Sequence, residues 1–256
     1  MPHIPTVCKI PVKSVIFAAF FGLPDPSIML SHFFQHENNT LSFNREQASQ
    51  FAKEVAGDYN PLHNVDAKRF CVPGDLLFAV VLLRYGISQT MQFSFDTMIT
   101  EKSLITLPEP AATLAFSDGN KTYMTVMRSG DNNTDPGTVE SIIKQYVAFS
   151  GEAFPHILVP TMSAQNVMIN PKRPMVMYQS MSIHFDRTDI KNPNLEPLTP
   201  IFTYEGKRGS LTLPFNWKDG DELVGKGEKI MLVSGVTEYD KPAMDELIER
   251  YNNSMA

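Results

Sequence analysis

Apolar residues recur with two periods along this chain, and the switch between them separates helices from strands. Ala48, Phe51, Ala52 and Val55 share one face of a 3.6-residue period, which predicts an amphipathic helix over residues 45–56. Asn44 can cap it, with Gln47 completing a capping-box-like pair. Gly57 can end it in left-handed geometry. After a turn containing Pro61, a second helix is expected to begin near Pro73, since proline suits the first helical position. Its run from Leu76 to Leu83 is apolar on every face, so that helix must be surrounded by protein. Beyond it the period drops to two. Met91, Phe93 and Phe95 alternate with Gln92, Ser94 and Asp96, as in a half-buried strand. Residues 113–116 and 122–128 flank Ser117-Asp118-Gly119-Asn120, a hairpin turn signal. Residues 130–137 read as a polar loop and residues 139–149 as the next strand.

The second half is also strand-rich. Residues 175–186 alternate throughout, with Met175, Met177, Met181, Ile183 and Phe185 on one face. Residues 201–204, 209–215 and 224–233 extend the sheet, and residues 242–251 read as a closing helix capped by Asp240. A buried helix with an antiparallel sheet around it is an α+β arrangement. Residues 89–96 (QTMQFSFD) and 179–186 (QSMSIHFD) match at Gln, Met, Phe and Asp, at an offset of 90. The repeat predicts two similar units, 41–155 and 156–256, after an extension over 1–40. The second unit lacks a long apolar helix in the corresponding place and is expected to be degenerate.

Composition narrows the function classes. The chain has 256 residues, 43% apolar and 20% charged, which excludes a disordered protein. Its net charge of −6 argues against a sequence-independent nucleic-acid binder, which needs a basic footprint. Cys8 and Cys71 cannot form a disulfide framework, so a reducing, cytoplasmic setting is expected. Lys9 and Lys13 precede an apolar run over 15–23, which has signal-peptide polarity. The run is shorter than the roughly 20 residues a membrane span needs. No cleavage site follows it, and the expectation is an undefined extension, with Met29 an alternative start. The sequons at Asn38, Asn120, Asn132 and Asn252 matter only in a secreted chain, and are read as turn residues.

The segment from Phe51 to Ala67, FAKEVAGDYNPLHNVDA, concentrates the candidate chemistry. Asp58 and His63 follow a helix terminus, and Gly57, Asn60 and Pro61 fold the chain sharply between them. A carboxylate and an imidazole so placed can hold one water and divide proton donation from acceptance. The same letters are also good turn chemistry, with a histidine that merely caps or bonds a neighbour.

Phe51, Ala56, Gly57, Asp58, Asn60, Pro61, Leu62, His63 and Ala67 resemble the motif of the MaoC-like family, which includes the (R)-specific enoyl-CoA hydratases of the hot-dog fold. The resemblance implies a double hot-dog with its second unit degenerate. It implies hydration or dehydration of 2-enoyl and 3-hydroxyacyl thioesters, with Asp58 and His63 shuttling protons. Asn60 would pin their loop, and the Gly74 N–H would face the thioester oxygen. It implies no cofactor beyond the CoA or acyl carrier protein that carries the substrate, no metal and no membrane span, with the second unit in place of the partner subunit of single-hot-dog dimers and a homodimer left open. Val72-Pro73-Gly74-Asp75 departs from the family pattern, which has a histidine where Pro73 stands. A non-catalytic acyl-CoA-binding protein and a hot-dog thioesterase are therefore kept as alternatives. Asp75 is expected to be an exposed first-turn acid; as a working group it would attack a thioester or activate water.

Other signals are weaker. Asp131, Asn133 and Asp135 open like a calcium loop, but Pro136 and Ile142 break it. Gly225-Lys226-Gly227 lacks the Ser or Thr of a phosphate loop. His156 and His184 have no ligand-spaced partners. Cys71 reads as a small buried residue, and the methionines as ordinary core filling. Lys68 and Arg69 are candidates for CoA phosphates, or else a solvated charged turn.

Overall fold

The computed structural model describes residues 30–151, 153–172 and 175–253. The expectations for residues 1–29, including the apolar run and the start at Met29, lie outside them. The first half places β1 (Gln35–Glu37) and β2 (Thr40–Ser42) ahead of α1. Helix α1 runs over Arg45–Gln50 and continues as a π-helical turn, Phe51–Ala56. Next come α2 (Gly74–Tyr85), β3 (Ile87–Phe95), β4 (Ile105–Thr106), β5 (Thr113–Ser117), β6 (Thr122–Asn133) and α3 (Pro136–Gly151). The second half holds α4 (Leu158–Ser163), β7 (Val167–Ile169), β8 (Met175–Phe185), β9 (Pro193–Pro197) and β10 (Ile201–Glu205). It closes with β11 (Arg208–Asp219), β12 (Glu222–Ser234), β13 (Val236–Glu238) and α5 (Lys241–Asn253).

Eleven of the described strands form one antiparallel sheet, in the order β1-β2-β4-β5-β6-β3-β8-β12-β11-β10, with β9 also on β11. The architecture is α+β. The two copies of the repeat are the two central strands, β3 and β8, and they pair with each other. Thr90 lies opposite His184, Gln92 opposite Ser182 and Ser94 opposite Ser180. Moving each residue by the repeat offset maps the first pair onto the third and the middle pair onto itself. A local two-fold axis between Gln92 and Ser182 accounts for that register. Alternation does the rest: Met91, Phe93, Met181, Ile183 and Phe185 are all buried.

Helix α2 is buried from Asp75 to Leu82, as an all-apolar run requires. Pro73 is its N-cap residue, one position earlier than expected. Asn44 caps α1, its Oδ1 accepting the Gln47 N–H at 2.7 Å. The reciprocal half of the capping box is not made, because the Gln47 side chain donates to the His32 carbonyl instead. Gly57 ends the helix at φ 66°, and Asp240 caps α5 through the Ala243 N–H.

One element differs in kind. Residues 139–149, expected as a strand, belong to α3. Val139, Ile142, Ile143, Tyr146, Val147 and Ser150 are buried at helical spacing. Asp135 starts the helix by accepting the Thr138 N–H at 2.9 Å, and Pro136 occupies the first position. The expected polar loop is largely the end of β6, which runs to Asn133. Helix α3 packs against α2, the end of α1 and β9. The second half is therefore covered by a long buried helix, which the strand reading had left out.

Candidate functional site

The turn after α1 is built by its own side chains. Asp58 Oδ1 accepts the Asn60 N–H at 2.9 Å, and Asn60 Oδ1 accepts the Leu62 N–H at 3.1 Å. Pro61 opens a short 3₁₀ turn, Pro61–His63. These bonds bring His63 back toward Asp58, with Nε2 to Oδ2 at 3.5 Å. His63 Nδ1 lies 2.7 Å from the Cys71 carbonyl, so it carries the proton there. Burial pushes the Asp58 carboxyl up, but the hydrogen bond and charge of His63 outweigh it and hold Asp58 below the ordinary carboxylate range. Burial likewise pulls the His63 imidazole down, while Asp58 lifts it above its ordinary value on balance. Each member of the pair favours the charged form of the other.

A second cluster stands beside it. Asp75 is 4% exposed, Lys229 3% and Ser150 4%, so the exposed first-turn acid expected at position 75 is instead a buried one. It turns inward because β12 presents Lys229 to it. The Ser150 hydroxyl donates to Asp75 Oδ2 at 2.5 Å, and the Lys229 ammonium donates to Ser150 Oγ. Asp75 Oδ1 lies 3.6 Å from Lys229 Nζ and accepts no hydrogen bond among the described residues. Lys229 also sits 4.0 Å from the centre of the Tyr178 ring, whose hydroxyl bonds that of Tyr146. Burial lifts the Asp75 carboxyl above the ordinary range, and the charge of Lys229 and the Ser150 bond only partly offset it. Burial also raises both tyrosine hydroxyls well above their usual value.

Two glycines let these groups converge. A Cβ on Gly151 would lie 1.5 Å from the Ala56 carbonyl oxygen, so only glycine lets the end of α3 press on the end of α1 beside Asp58. A Cβ on Gly74 would lie 2.5 Å from the Tyr178 ring.

Both clusters border one cavity of about 280 Å³. Asp58, Asn60, Ser150 and Lys229 give it a polar end, while Phe154, Ile169, Val176, Met231, Leu247 and Tyr251 make it apolar. Lys172 and Arg250 line it as well. Helix α5 closes one wall, held where the Tyr251 hydroxyl reaches the Tyr59 N–H and the Gly57 carbonyl. An apolar cleft with a few convergent, perturbed ionisable groups is where a small molecule binds.

Of the residues expected to act, Asp58 and Asn60 line this cavity and His63 stands behind Asp58. Gly74 does not line it, and its structural part is to make room for Tyr178. Lys68 and Arg69 are exposed, and Arg69 borders a separate groove with Leu62, Met98, Met175 and Met177. Burial pushes the Cys71 thiol up to about 12, which leaves it no thiolate to attack with. His184 is an exposed strand residue bonded to Thr90. Ser150, Lys229 and the inward Asp75 were missed. The signal for Ser150 was the helical period of α3. For Lys229 no signal existed, because it alternates with Glu228 and Ile230 and either face could be the inner one.

A protein family of unknown function, DUF3581, matches residues 28–242. The chain belongs to the DUF3581 family. That match corrects the resemblance to MaoC-like hydratases, which rested on residues 51–67. The shared letters follow from local need: Asp58 and Asn60 each close a turn, and Pro61 opens the next. The curated protein sequences contain no match. Among solved structures the chain is similar to a TesB protein of Mycobacterium avium subspecies paratuberculosis, at 8% identity and a TM-score of 0.43, covering 82% of this chain and 99% of that one. It is also similar to the acyl-CoA thioesterase II TesB2 of Mycobacterium marinum, at 8% identity and a TM-score of 0.40, covering 83% and 99%. Among the described residues no helix is long and apolar enough to cross a membrane, and no cluster of side chains could hold a metal ion.

Proposed function

We propose that this DUF3581 protein hydrolyses acyl thioesters, and that it is built as a double hot-dog. The observation that carries the reading is the composition of the cavity beside Asp58. Its apolar walls suit an acyl chain, and its polar end supplies a carboxylate and an ammonium within one electrostatic cluster. The architecture is supported by the local two-fold between β3 and β8, and by α2 and α3 as buried helices against the sheet.

In this reading Asp58 accepts the proton of the attacking water. His63 keeps Asp58 ionised, and its own bond to the Cys71 carbonyl fixes its tautomer. Asn60 pins the turn. The Lys229 ammonium opposes the charge that develops on the thioester oxygen, in a site where water does not screen it. The carbon–sulfur bond breaks, the sulfur leaves protonated as a free thiol, and the acyl carbon keeps the oxygen of the water. Lys172 and Arg250, which also line the cavity, are assigned in this reading to the phosphates of CoA or of a phosphopantetheine arm.

The test uses the full chain with butyryl-, octanoyl- and crotonyl-CoA. Free thiol should appear from the saturated substrates, and Asp58→Asn should slow its release by roughly 100-fold or more. Loss of the crotonyl enoyl band without thiol would mean hydration instead. Saturable binding without turnover would mean a protein that binds acyl thioesters and does not cleave them.

A further inference from the structure

Water attack directed by Asp58 leaves three buried groups without a proton-transfer role: Asp75, Ser150 and the Tyr146–Tyr178 pair. Ser150 differs from the rest because it both lines the cavity and is bonded on two sides by charged groups. Resting on the acyl-thioester reading, we propose that Ser150 is the nucleophile of a two-step hydrolysis, forming an acyl-serine ester that Asp58-directed water then cleaves.

The geometry argues for it in three ways. The serine proton already points at a carboxylate, because Oγ donates to Asp75 Oδ2 at 2.5 Å. A nucleophile within hydrogen-bond reach of a base that is itself held in place is the arrangement that activates a hydroxyl. The base is held by its position in the first turn of α2 and by Lys229 at 3.6 Å. Second, the Lys229 ammonium touches the same oxygen, where negative charge grows as the proton leaves. Third, Ser150 is brought beside Asp58 by the contact of Gly151 with Ala56, so one cavity end holds a nucleophile and a separate base for water. Burial lifts the Asp75 carboxyl, which makes it a stronger proton acceptor than an ordinary aspartate.

The steps balance. Ser150 Oγ forms a bond to the thioester carbon and its proton passes to Asp75. The carbon–sulfur bond breaks, and the sulfur takes that proton and leaves as a thiol. Water then attacks the ester carbon and gives a proton to Asp58. The carbon–Oγ bond breaks, Oγ takes the proton back, and the carboxylic acid departs. Asp58 acts on the second step, so removing it should strand the first product.

Intact-mass measurement of the full chain, quenched seconds after mixing with octanoyl-CoA, reads this directly. Asp58→Asn should gain one octanoyl group, mapped to the peptide holding Ser150. Asp58→Asn with Ser150→Ala should gain none. Ser150→Ala alone should lose thiol release by at least about 1000-fold. Ser150→Cys, folded as judged by circular dichroism, should still accept the acyl group and guards against loss by misfolding. If Asp58→Asn slows turnover but carries no acyl group, or if Ser150→Ala releases thiol at the wild-type rate, the nucleophile is not Ser150 and direct water attack stands. If the wild type releases no thiol from any acyl-CoA, the acyl-thioester reading falls and takes the acyl-serine with it.

Discussion

Asp58 lines the cavity, Asp75 stands behind Ser150 and Lys229 at the same end, and the two carboxylates are held in opposite states. Asp58 is half-buried in a turn that it ties itself, and its partner His63 is local in sequence. Asp75 is fully buried, and its partners Ser150 and Lys229 come from α3 and from β12, far along the chain. Asp58 is held below the ordinary carboxylate range and Asp75 above it. Two carboxylates whose surroundings push them apart can divide acid and base work between them. The difference also says where each can be broken. The turn pair depends on a few local bonds, whereas the buried cluster depends on the whole sheet being assembled.

The largest expected effect falls on the buried cluster. Lys229→Met leaves the Asp75 carboxyl without its cation in the core, and should cost about 3–5 kcal/mol in urea unfolding. Adding Asp75→Leu should restore most of that loss, because an apolar pair of similar size needs no charge compensation. If the double variant is no better than the single one, the cluster is not a paired charge site.

Gly151→Ala comes next. Its Cβ meets the Ala56 carbonyl at 1.5 Å, so the α1–α3 contact must open. Overpacking of this kind costs roughly 1–3 kcal/mol, and thermal unfolding should show it. It should also slow thiol release, because it separates Ser150 from Asp58.

The two carboxylates should then tilt the pH dependence of stability in opposite directions. Asp58, depressed below its ordinary 3.8, contributes stability above that value and loses it as pH falls through its lower folded value. Asp75, raised above 3.8, contributes stability below that value and loses it as pH rises through its higher folded value. His63, raised above 6.5, contributes below that value and loses its share as pH rises through its folded value. Urea unfolding across acid pH should therefore show a shallower acid loss for Asp58→Asn, and a smaller decline on the way up to neutrality for Asp75→Asn. Equal slopes in both variants and the wild type would remove the contrast.

The smallest effect belongs to the turn. Asn60→Ala removes the bond to the Leu62 N–H and should cost about 1 kcal/mol, the usual worth of such a cap. It should lower thiol release more than it lowers stability, since the turn places Asp58 and His63.

The same contrast explains what could be read from the sequence. The turn was legible because its causes are local: Gly57, Asp58, Asn60, Pro61 and His63 lie within one short segment and make their own bonds. Helix α2 was legible from its unbroken apolar run behind Pro73, and the central strands from their uninterrupted period of two. The repeat anticipated the strands that pair at the local two-fold. Helix α3 was misread because Val139, Ile142, Ile143 and Val147 also suit a strand, and β-branched residues favour that choice. The decisive signals, Asp135 as cap and Pro136 after it, lay in what looked like a loop. Asp75 could not be placed inward from its own neighbours, since a first-turn acid is ordinary at a helix start. Only Lys229, from a strand whose inner face the letters leave open, decides it. The resemblance of residues 51–67 to a hydratase motif was a resemblance of turn chemistry, and the family that matches most of the chain is DUF3581.

The most direct measurement is a crystal structure of the full chain with a non-hydrolysable thioether analogue of octanoyl-CoA. The account predicts the alkyl chain among Ile169, Val176, Met231 and Leu247, with the atom that replaces the carbonyl carbon between Asp58 and Ser150 and the pantetheine arm leaving past Lys172 and Arg250. An analogue bound elsewhere, such as in the groove beside Arg69 and Met98, with the cavity left unfilled, would contradict it.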